Sequence, residues 1–322
     1  MKAIALFSGG LDSILAVKLI QMQGIDVLGV TFETPFFTAG KALAAAARIG
    51  LSLRVVDITE DHLVMLRAPR YGYGKNLNPC IDCHAMMLRK SGEFMSAWNA
   101  DFLITGEVLG QRPMSQTKQS LYVVAKYSGY PDYILRPLSA KLLPITKPER
   151  EGMVDRDRLY DIQGRGRHRQ MQAAIEFGID DYSAPAGGCL LTDPMFAKRL
   201  KELFSHNDFS IPSINLLKAG RHFRINDRTK IIVGRNQGDN GLIEQYAQDA
   251  DCMIHMADYP GPTTLLPGGG TEAERYIAAS LCALYSDAPK GKNVRLNCHC
   301  GGQTIMIETT SADKTEAAQW II

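Results

Sequence analysis

The sequence predicts an α/β protein: a doubly wound parallel sheet, Rossmann-like, followed by a second, smaller α+β domain. Three observations predict it. Short, nearly continuous apolar runs in the first half alternate with stretches whose apolar residues recur at helical spacing. A Gly-Gly turn joins the first such run to the first helical stretch. After about Pro148 the pattern becomes irregular and charged, as expected of a different kind of unit.

Residues 2–7, 25–32, 51–58 and 101–105 are rich in β-branched and aliphatic residues and read as buried parallel strands. Between them, 13–23, 41–49 and 83–98 carry helix formers with a one-sided apolar stripe. In such sheets ligands sit beyond the carboxyl ends of the strands, at the topological switch point. The sequence divides into a domain over 1–200 and a second over 210–322. In the second, 222–226, 229–234 and 252–257 read as strands and 272–285 as a helix, while the Gly-Pro-rich 258–270 reads as a loop.

At 322 residues, 45% hydrophobic and 22% charged, the chain is an ordinary globular protein of about two domains. No apolar run approaches the ~20 residues of a membrane span, and MKAIALFSGG lacks the features of a signal peptide, so the expected location is cytoplasmic. The net charge of +2 hides asymmetry: 198–235 holds nine Lys/Arg against three acids, and 236–287 holds one Arg against eight acids. The segment 163–170 adds Arg165, Arg167 and Arg169. These basic stretches are the candidate phosphate contacts for a nucleic-acid partner.

The strongest motif is Ser8-Gly9-Gly10-Leu11-Asp12-Ser13. Paired glycines permit a tight turn whose N–H groups face an anion, and the following helix adds its positive end. Ser8 and Ser13 offer hydroxyls, and Asp12 suits loop positioning or a Mg²⁺ that accompanies pyrophosphate. No Walker lysine follows, so cleavage between the α and β phosphates fits better than γ-phosphate transfer.

Seven cysteines at irregular spacing make no disulfide framework. Cys80 and Cys83 precede a helix, where a thiol is shifted toward thiolate. Cys189 follows Gly187-Gly188. Three thiolates suit a [4Fe–4S] cluster with one open iron, or a cysteine persulfide and disulfide cycle. A structural zinc on Cys80, Cys83, Cys298 and Cys300 is the alternative, and Cys252 and Cys282 read as core. Cys80-x-x-Cys83-His84 is also the attachment string of c-type haem, which needs export and an axial-ligand pattern that this sequence does not offer.

The hexapeptide at 8–13 resembles the SGGxDS signature of the PP-loop (N-type) ATP pyrophosphatases, whose fold is adenine nucleotide alpha hydrolase-like. The stretch 78–84 is similar to the NPC-x-x-C segment of the tRNA 2-thiouridylases. Thr105-Gly106-Glu107-Val108-Leu109-Gly110-Gln111, then Ser115-Gln116-Thr117 and Leu135-Arg136-Pro137-Leu138, resemble tRNA 4-thiouridine synthetases. The resemblance implies adenylation of a uracil oxygen by ATP with Mg²⁺, then displacement of AMP by sulfur. It places Gly106 and Gln111 near the nucleotide or base. Cys80, Cys83 and Cys189 become ligands of a [4Fe–4S] cluster that carries the sulfur, and with Asp12 they form the catalytic set.

The partners implied are tRNA and a sulfur donor (sulfide or a cysteine desulfurase), with no membrane and with room for a homodimer. The ATP loop begins at residue 8, with no THUMP region ahead of it. Residues 232–237, 251–255 and 258–262 resemble instead the RNA-binding domain of NFACT (fibronectin-binding-like) proteins. That resemblance expects the Gly234-Arg235-Asn236 turn and the Pro260-Gly261-Pro262 loop at a nucleic-acid face. Two other functions fit parts of the pattern: an amidotransferase or ligase of the same ATP type acting on a small carbonyl compound, and a non-catalytic RNA-binding quality-control factor.

Overall fold

The apolar runs of the first half form β1 (Lys2–Leu6), β2 (Asp26–Glu33), β3 (Leu53–Asp57) and β4 (Phe102–Thr105), with a two-residue β5 (Ile134–Leu135) at one edge. All pairs are parallel, in the order β3-β2-β1-β4-β5. The chain works outward from β1 in one direction and then in the other, so the switch point lies between β1 and β4. The structure is a computed structural model that describes residues 1–182 and 188–322. It divides into two units, Met1–Thr192 and Asp193–Ile322.

Helices cover both faces of the first sheet. On one face α1 (Leu11–Gln21) and α2 (Gly40–Ile49) bury Ile14, Leu15, Ala42 and Ala45 against Ala3, Ala5 and Ile104. On the other, α3 (Thr59–Arg67), α4 (Cys80–Ala97) and α5 (Lys118–Ser128) flank the sheet, and α4 and α5 pack Met86, Leu88 and Val124 against Ile4, Val30 and Leu103. The short α6 (Lys147–Arg150) and then α7 (His168–Glu176) follow, and α7 joins the α1 face through Ala173 and Ala174. The doubly wound architecture is therefore the one predicted. Helix α1 starts two residues earlier than its apolar stripe suggests, which puts Asp12 and Ser13 in its first turn.

In the second unit, α8 (Pro194–Ser205) and α9 (Ile211–Leu216) precede an antiparallel sheet in the order β11-β10-β8-β9-β7-β6. Its strands are β6 (Arg221–Arg224), β7 (Lys230–Val233), β8 (Cys252–Met256), β9 (Thr264–Leu266), β10 (Val294–Cys300) and β11 (Gln303–Thr309). Helices α11 (Glu272–Leu284) and α12 (Lys314–Trp320) cover one face, while α9 and α10 (Gln237–Tyr246) pack Leu216 and Ile243 against Ile232 and Leu265. The Gly-Pro stretch at 258–270 is not all loop. Its Thr-Leu-Leu core is β9, fully buried between β7 and β8. No helix among the described residues is long and apolar enough to cross a membrane.

Candidate active site

The carboxyl ends of β1 and β4, the two strands at the switch point, carry the two motifs singled out in the sequence. After β1 the chain turns through Gly9, whose φ of +74° is left-handed, and enters α1 with Gly10 as N-cap. No side chain caps this end, so the first-turn N–H groups keep their donors for an anion. The serines shape the turn: Ser13 Oγ donates to the Gly10 carbonyl (2.8 Å), and Ser8 Oγ lies 3.3 Å from Ser13 Oγ. Leu11 is buried in the core, so it anchors the turn rather than facing a ligand.

After β4, Gly106 lies against that turn. A Cβ at Gly106 would stand 2.5 Å from the Ser13 nitrogen. Gln111 Nε2 donates to Asp12 Oδ2 (3.1 Å), joining the two motifs. Burial raises the Asp12 carboxyl above the usual carboxylate range, opposed by the Gln111 hydrogen bond and by the charges of Arg167 and Arg112.

Part of this site is invisible in the local motifs. Gln163 pairs with Leu109, and the Gly164 nitrogen donates to the Leu109 carbonyl (2.7 Å), which brings the basic segment alongside the β4 loop. Arg167 and Gln170, at the start of α7, therefore act on Asp12. Among the described residues, Gln116 Oε1 and Arg167 Nε are buried without a hydrogen-bond partner, and Asp12 Oδ1 and the Gln170 amide have none at full hydrogen-bond geometry beyond their approach to each other. Buried polar atoms are nearly always paired, so this group suits a polar or charged ligand. Asp12, with one oxygen held by Gln111 and the other meeting only the Gln170 amide, is a donor that Mg²⁺ would use. Arg167, expected at an RNA phosphate, instead has its Nε buried, and Arg169 is engaged with Asp161 (2.7 Å). No local signal in the sequence could have joined Gln170 to Asp12.

Cys80 and Cys83 lie in the first turn of α4. Asp82 accepts from the Arg70 and Tyr71 nitrogens (3.0 Å each), tying the preceding loop to the helix, and Asn78 Nδ2 lies 3.3 Å from Cys80 Sγ. Cys189 approaches from the far end of the unit. The Leu190 nitrogen donates to the Phe36 carbonyl (2.9 Å), and Asn76 Nδ2 donates to the Thr192 carbonyl (2.7 Å). The three thiols are close enough to act on one another electrostatically. Their sulfurs do not close to within 4.8 Å of each other, the spacing a single ion would need. The donor set, two thiols in the first turn of a helix and a third from a loop, is of the chemical kind that a four-iron cluster uses. Of the glycine context of Cys189, residues 185–187 lie outside the described residues.

At Cys83 the expected shift toward thiolate is reversed. Burial pushes the Cys83 thiol well up, as do the neighbouring Cys189 and Cys80, and burial pushes Cys189 to about 11. Without a cation these are protonated thiols, because the low-dielectric pocket outweighs the helix end.

One buried network joins the cysteine helix to the phosphate loop. Glu107 accepts from Arg136 Nε (2.9 Å) through one oxygen and pairs with His84 Nδ1 (3.0 Å) through the other. Its own nitrogen donates to Thr105 Oγ1 (3.2 Å). Burial raises the Glu107 carboxyl, but Arg136 and His84 outweigh it and hold it at about 2. His84, next to Cys83 on α4, is thus clamped to the residue that follows Gly106, and is engaged there rather than serving a haem.

In the second unit, the Gly234-Arg235-Asn236 turn and the Pro260-Gly261-Pro262 loop line one pocket of about 300 Å³. Arg221 joins them, with its guanidinium 4.3 Å from the Tyr285 ring centroid. The basic run of 198–235 is less available than its count suggests. Arg224 and Lys230 both pair with Glu202, Arg235 pairs with Asp239 (2.6 Å), and Arg199 donates to the carbonyls of Leu217 and Gly220.

Residues 1–141 match the family model of the thiamine biosynthesis protein (ThiI), and residues 220–321 match that of the NFACT protein RNA binding domain. Both resemblances read from the motifs thus rest on family models. Over 148 residues the chain is 31% identical to a probable tRNA sulfurtransferase of Staphylococcus epidermidis, covering 42% of this chain and 34% of that protein. Over 147 residues it is 29% identical to a probable tRNA sulfurtransferase of Thermococcus kodakarensis, covering 42% and 36%. The chain spans about a third of the length of these curated relatives. Among solved structures, a 4-thiouridine synthetase in complex with RNA and bound ATP aligns with a TM-score of 0.36 at 21% identity, covering 67% of this chain and 52% of that one.

Proposed function

We propose that this chain is an ATP-dependent tRNA uridine sulfurtransferase. ATP adenylates a uracil carbonyl oxygen with pyrophosphate as leaving group. A sulfur nucleophile then displaces AMP to leave 4-thiouridine or 2-thiouridine. The observation that carries this reading is the Glu107 clamp, which fixes a cysteine-bearing helix to the strand end that abuts the phosphate loop. A ligase acting on a small carbonyl compound would have no use for that coupling.

In this reading the uncapped first turn of α1, with Ser8 and Ser13, receives the phosphates. Asp12 would hold the Mg²⁺ that accompanies pyrophosphate, and Arg167 and Gln170 complete the polar wall. Cys80, Cys83 and Cys189 would ligate a [4Fe–4S] cluster, which leaves one iron to carry sulfur; failing that, the same cysteines supply a persulfide. Sulfide or a cysteine desulfurase would be the donor to the cluster, whereas a persulfide on these cysteines would take its sulfane sulfur from a cysteine desulfurase, whose own thiol is released. The pocket at Arg221 and Arg235 grips tRNA phosphates, whose neutralisation supplies much of the affinity for nucleic acid.

The test is mass spectrometry of tRNA nucleosides from a deletion strain. One thiouridine is expected to disappear, to return with the wild-type gene, and to stay absent with Cys80→Ser, Cys83→Ser or Cys189→Ser. Unchanged thionucleosides in the deletion strain would sink the proposal. A second expectation concerns the buried wall. Arg167→Ala should raise the KM for ATP by roughly tenfold, the scale of one lost charged hydrogen bond. Pyrophosphate release measured against ATP concentration reads it, and an unchanged KM removes Arg167 from the site.

A further inference from the structure

The terminal cysteine pair has a third thiol beside it within its own unit, and Cys252, read as core, is that neighbour. In the antiparallel pairing of β8 with β10, Cys252 stands directly opposite Cys300. Cys298, two residues earlier on β10, lies on the same face, with its Sγ 3.4 Å from Cys300 Sγ. The three sulfurs all lie within 4.8 Å of one another, the only such group of three His, Cys, Asp or Glu donors among the described residues. The structure joins Cys252 and Cys300 as a disulfide and leaves Cys298 a free thiol.

We propose that the reduced form of this trio, Cys252, Cys298 and Cys300, is a binding site for one thiophilic d¹⁰ ion of the zinc class. A disulfide uses two cysteines, so it gives no reason for a third, fully buried, at contact distance on the same face. A metal ion does. Tetrahedral zinc at about 2.3 Å from each sulfur places the sulfurs about 3.8 Å apart; Cys298 and Cys300 already stand at 3.4 Å, and reduction frees Cys252, directly opposite Cys300, to open to that spacing. Where cellular thiols are kept reduced, the dithiol is the resting state and its donors are free.

The surroundings hold the three sulfurs in place. Gly268, Gly269 and Gly270 all take positive φ as the chain wraps over the sulfurs, and the Gly269 carbonyl comes 3.3 Å from Cys252 Sγ. Arg275 holds that loop through the Gly269 and Gly270 carbonyls (2.9 and 3.2 Å); burial raises the Cys298 thiol, and the Arg275 charge opposes it. Cys252 and Cys298 are sealed from solvent while Cys300 is half-buried, so ions enter past Cys300, where the fourth position stays open to an outside ligand. Cys282 is occupied elsewhere, with its Sγ 3.3 Å from the Pro262 carbonyl.

The test uses the full chain carrying Cys80→Ser, Cys83→Ser and Cys189→Ser, so that the first unit contributes no thiols. The protein is reduced anaerobically and exposed to Zn²⁺, excess metal is removed, and metal per chain is counted. One retained zinc with three sulfur neighbours by X-ray absorption is expected. Adding Cys298→Ser or Cys300→Ser should lower retention at least tenfold, and oxidation with diamide should release the ion. Retention of under a tenth of an ion by reduced protein, or undiminished retention in a folded serine variant, overturns the site. Should the triple-serine background not fold, the same Cys298→Ser change in the wild-type chain must remove one equivalent of zinc. No decrease there overturns it equally.

Discussion

Gly106→Ala is expected to lower tRNA-dependent pyrophosphate release by about two orders of magnitude while leaving the far-UV circular dichroism unchanged. The added Cβ would stand 2.5 Å from the Ser13 nitrogen and 2.7 Å from the Asp12 carbonyl carbon, distances real Cβ atoms do not reach. Both obstacles are backbone, so no side chain can swing aside. Relief requires the first turn of α1 to move away from the end of β4. That turn presents the donors for the phosphates, and a misplacement of about 1 Å can cost ~10²-fold in rate. The neighbouring glycine of the loop supplies the control. A Cβ at Gly10 meets only Ser8 Oγ, at 3.5 Å, an ordinary contact. Gly10→Ala should therefore be mild. Equal turnover in the two variants would show that the β4 end does not set the loop.

The contrast between these glycines shows what sequence reading reaches. The SGGxDS loop is legible because its function is local: strand, turn and helix end are consecutive in the chain. The strands of the first sheet are legible for the same reason, each being a continuous buried run. Partners brought in by the fold are not. Arg167 and Gln170 act on Asp12 only because the segment after Ile162 runs beside Leu109. Charge misleads for a related reason: Glu202 sits inside the basic run and takes up Arg224 and Lys230, which a segment total cannot reveal.

The terminal cysteines turn on the period in which they are read. In β10 the burial alternates from Val294 to Cys300, a plain two-residue strand rhythm. Read as a compact ligand cluster, Cys298-His299-Cys300 needs other ligands from far away. Read as a strand, it places two sulfurs on one face with His299 on the other, and their partner is whatever cysteine the adjacent strand supplies. That is Cys252, 48 residues earlier.

Glu107→Gln is expected to destabilise the protein by roughly 3–5 kcal/mol, the usual cost of stranding one charge of a buried pair. Arg136 is 7% exposed, and with Glu107 neutralised its guanidinium keeps the hydrogen bond to the Leu121 carbonyl and an uncharged amide acceptor but loses its buried counter-charge. For a chain of this size that corresponds to a melting temperature lower by roughly 10 °C. The pH dependence gives an independent reading. The Glu107 carboxyl is held at about 2, below its ordinary value of 4.5, so folding favours the charged form. Its contribution is complete above about 4.5 and is lost as pH falls toward 2. The wild-type protein should therefore lose stability more steeply than Glu107→Gln over that window, and the two curves should converge at its acid end. Parallel curves would show that the pair contributes nothing. The double variant Glu107→Leu with Arg136→Met separates charge from packing. Replacing a whole buried pair by apolar groups is often neutral, so the double variant should recover most of the stability lost in Glu107→Gln. It should not recover thiolation, because His84 and the helix bearing Cys80 and Cys83 would no longer be held to the end of β4. A double variant that thiolates normally would break the link between the clamp and the chemistry.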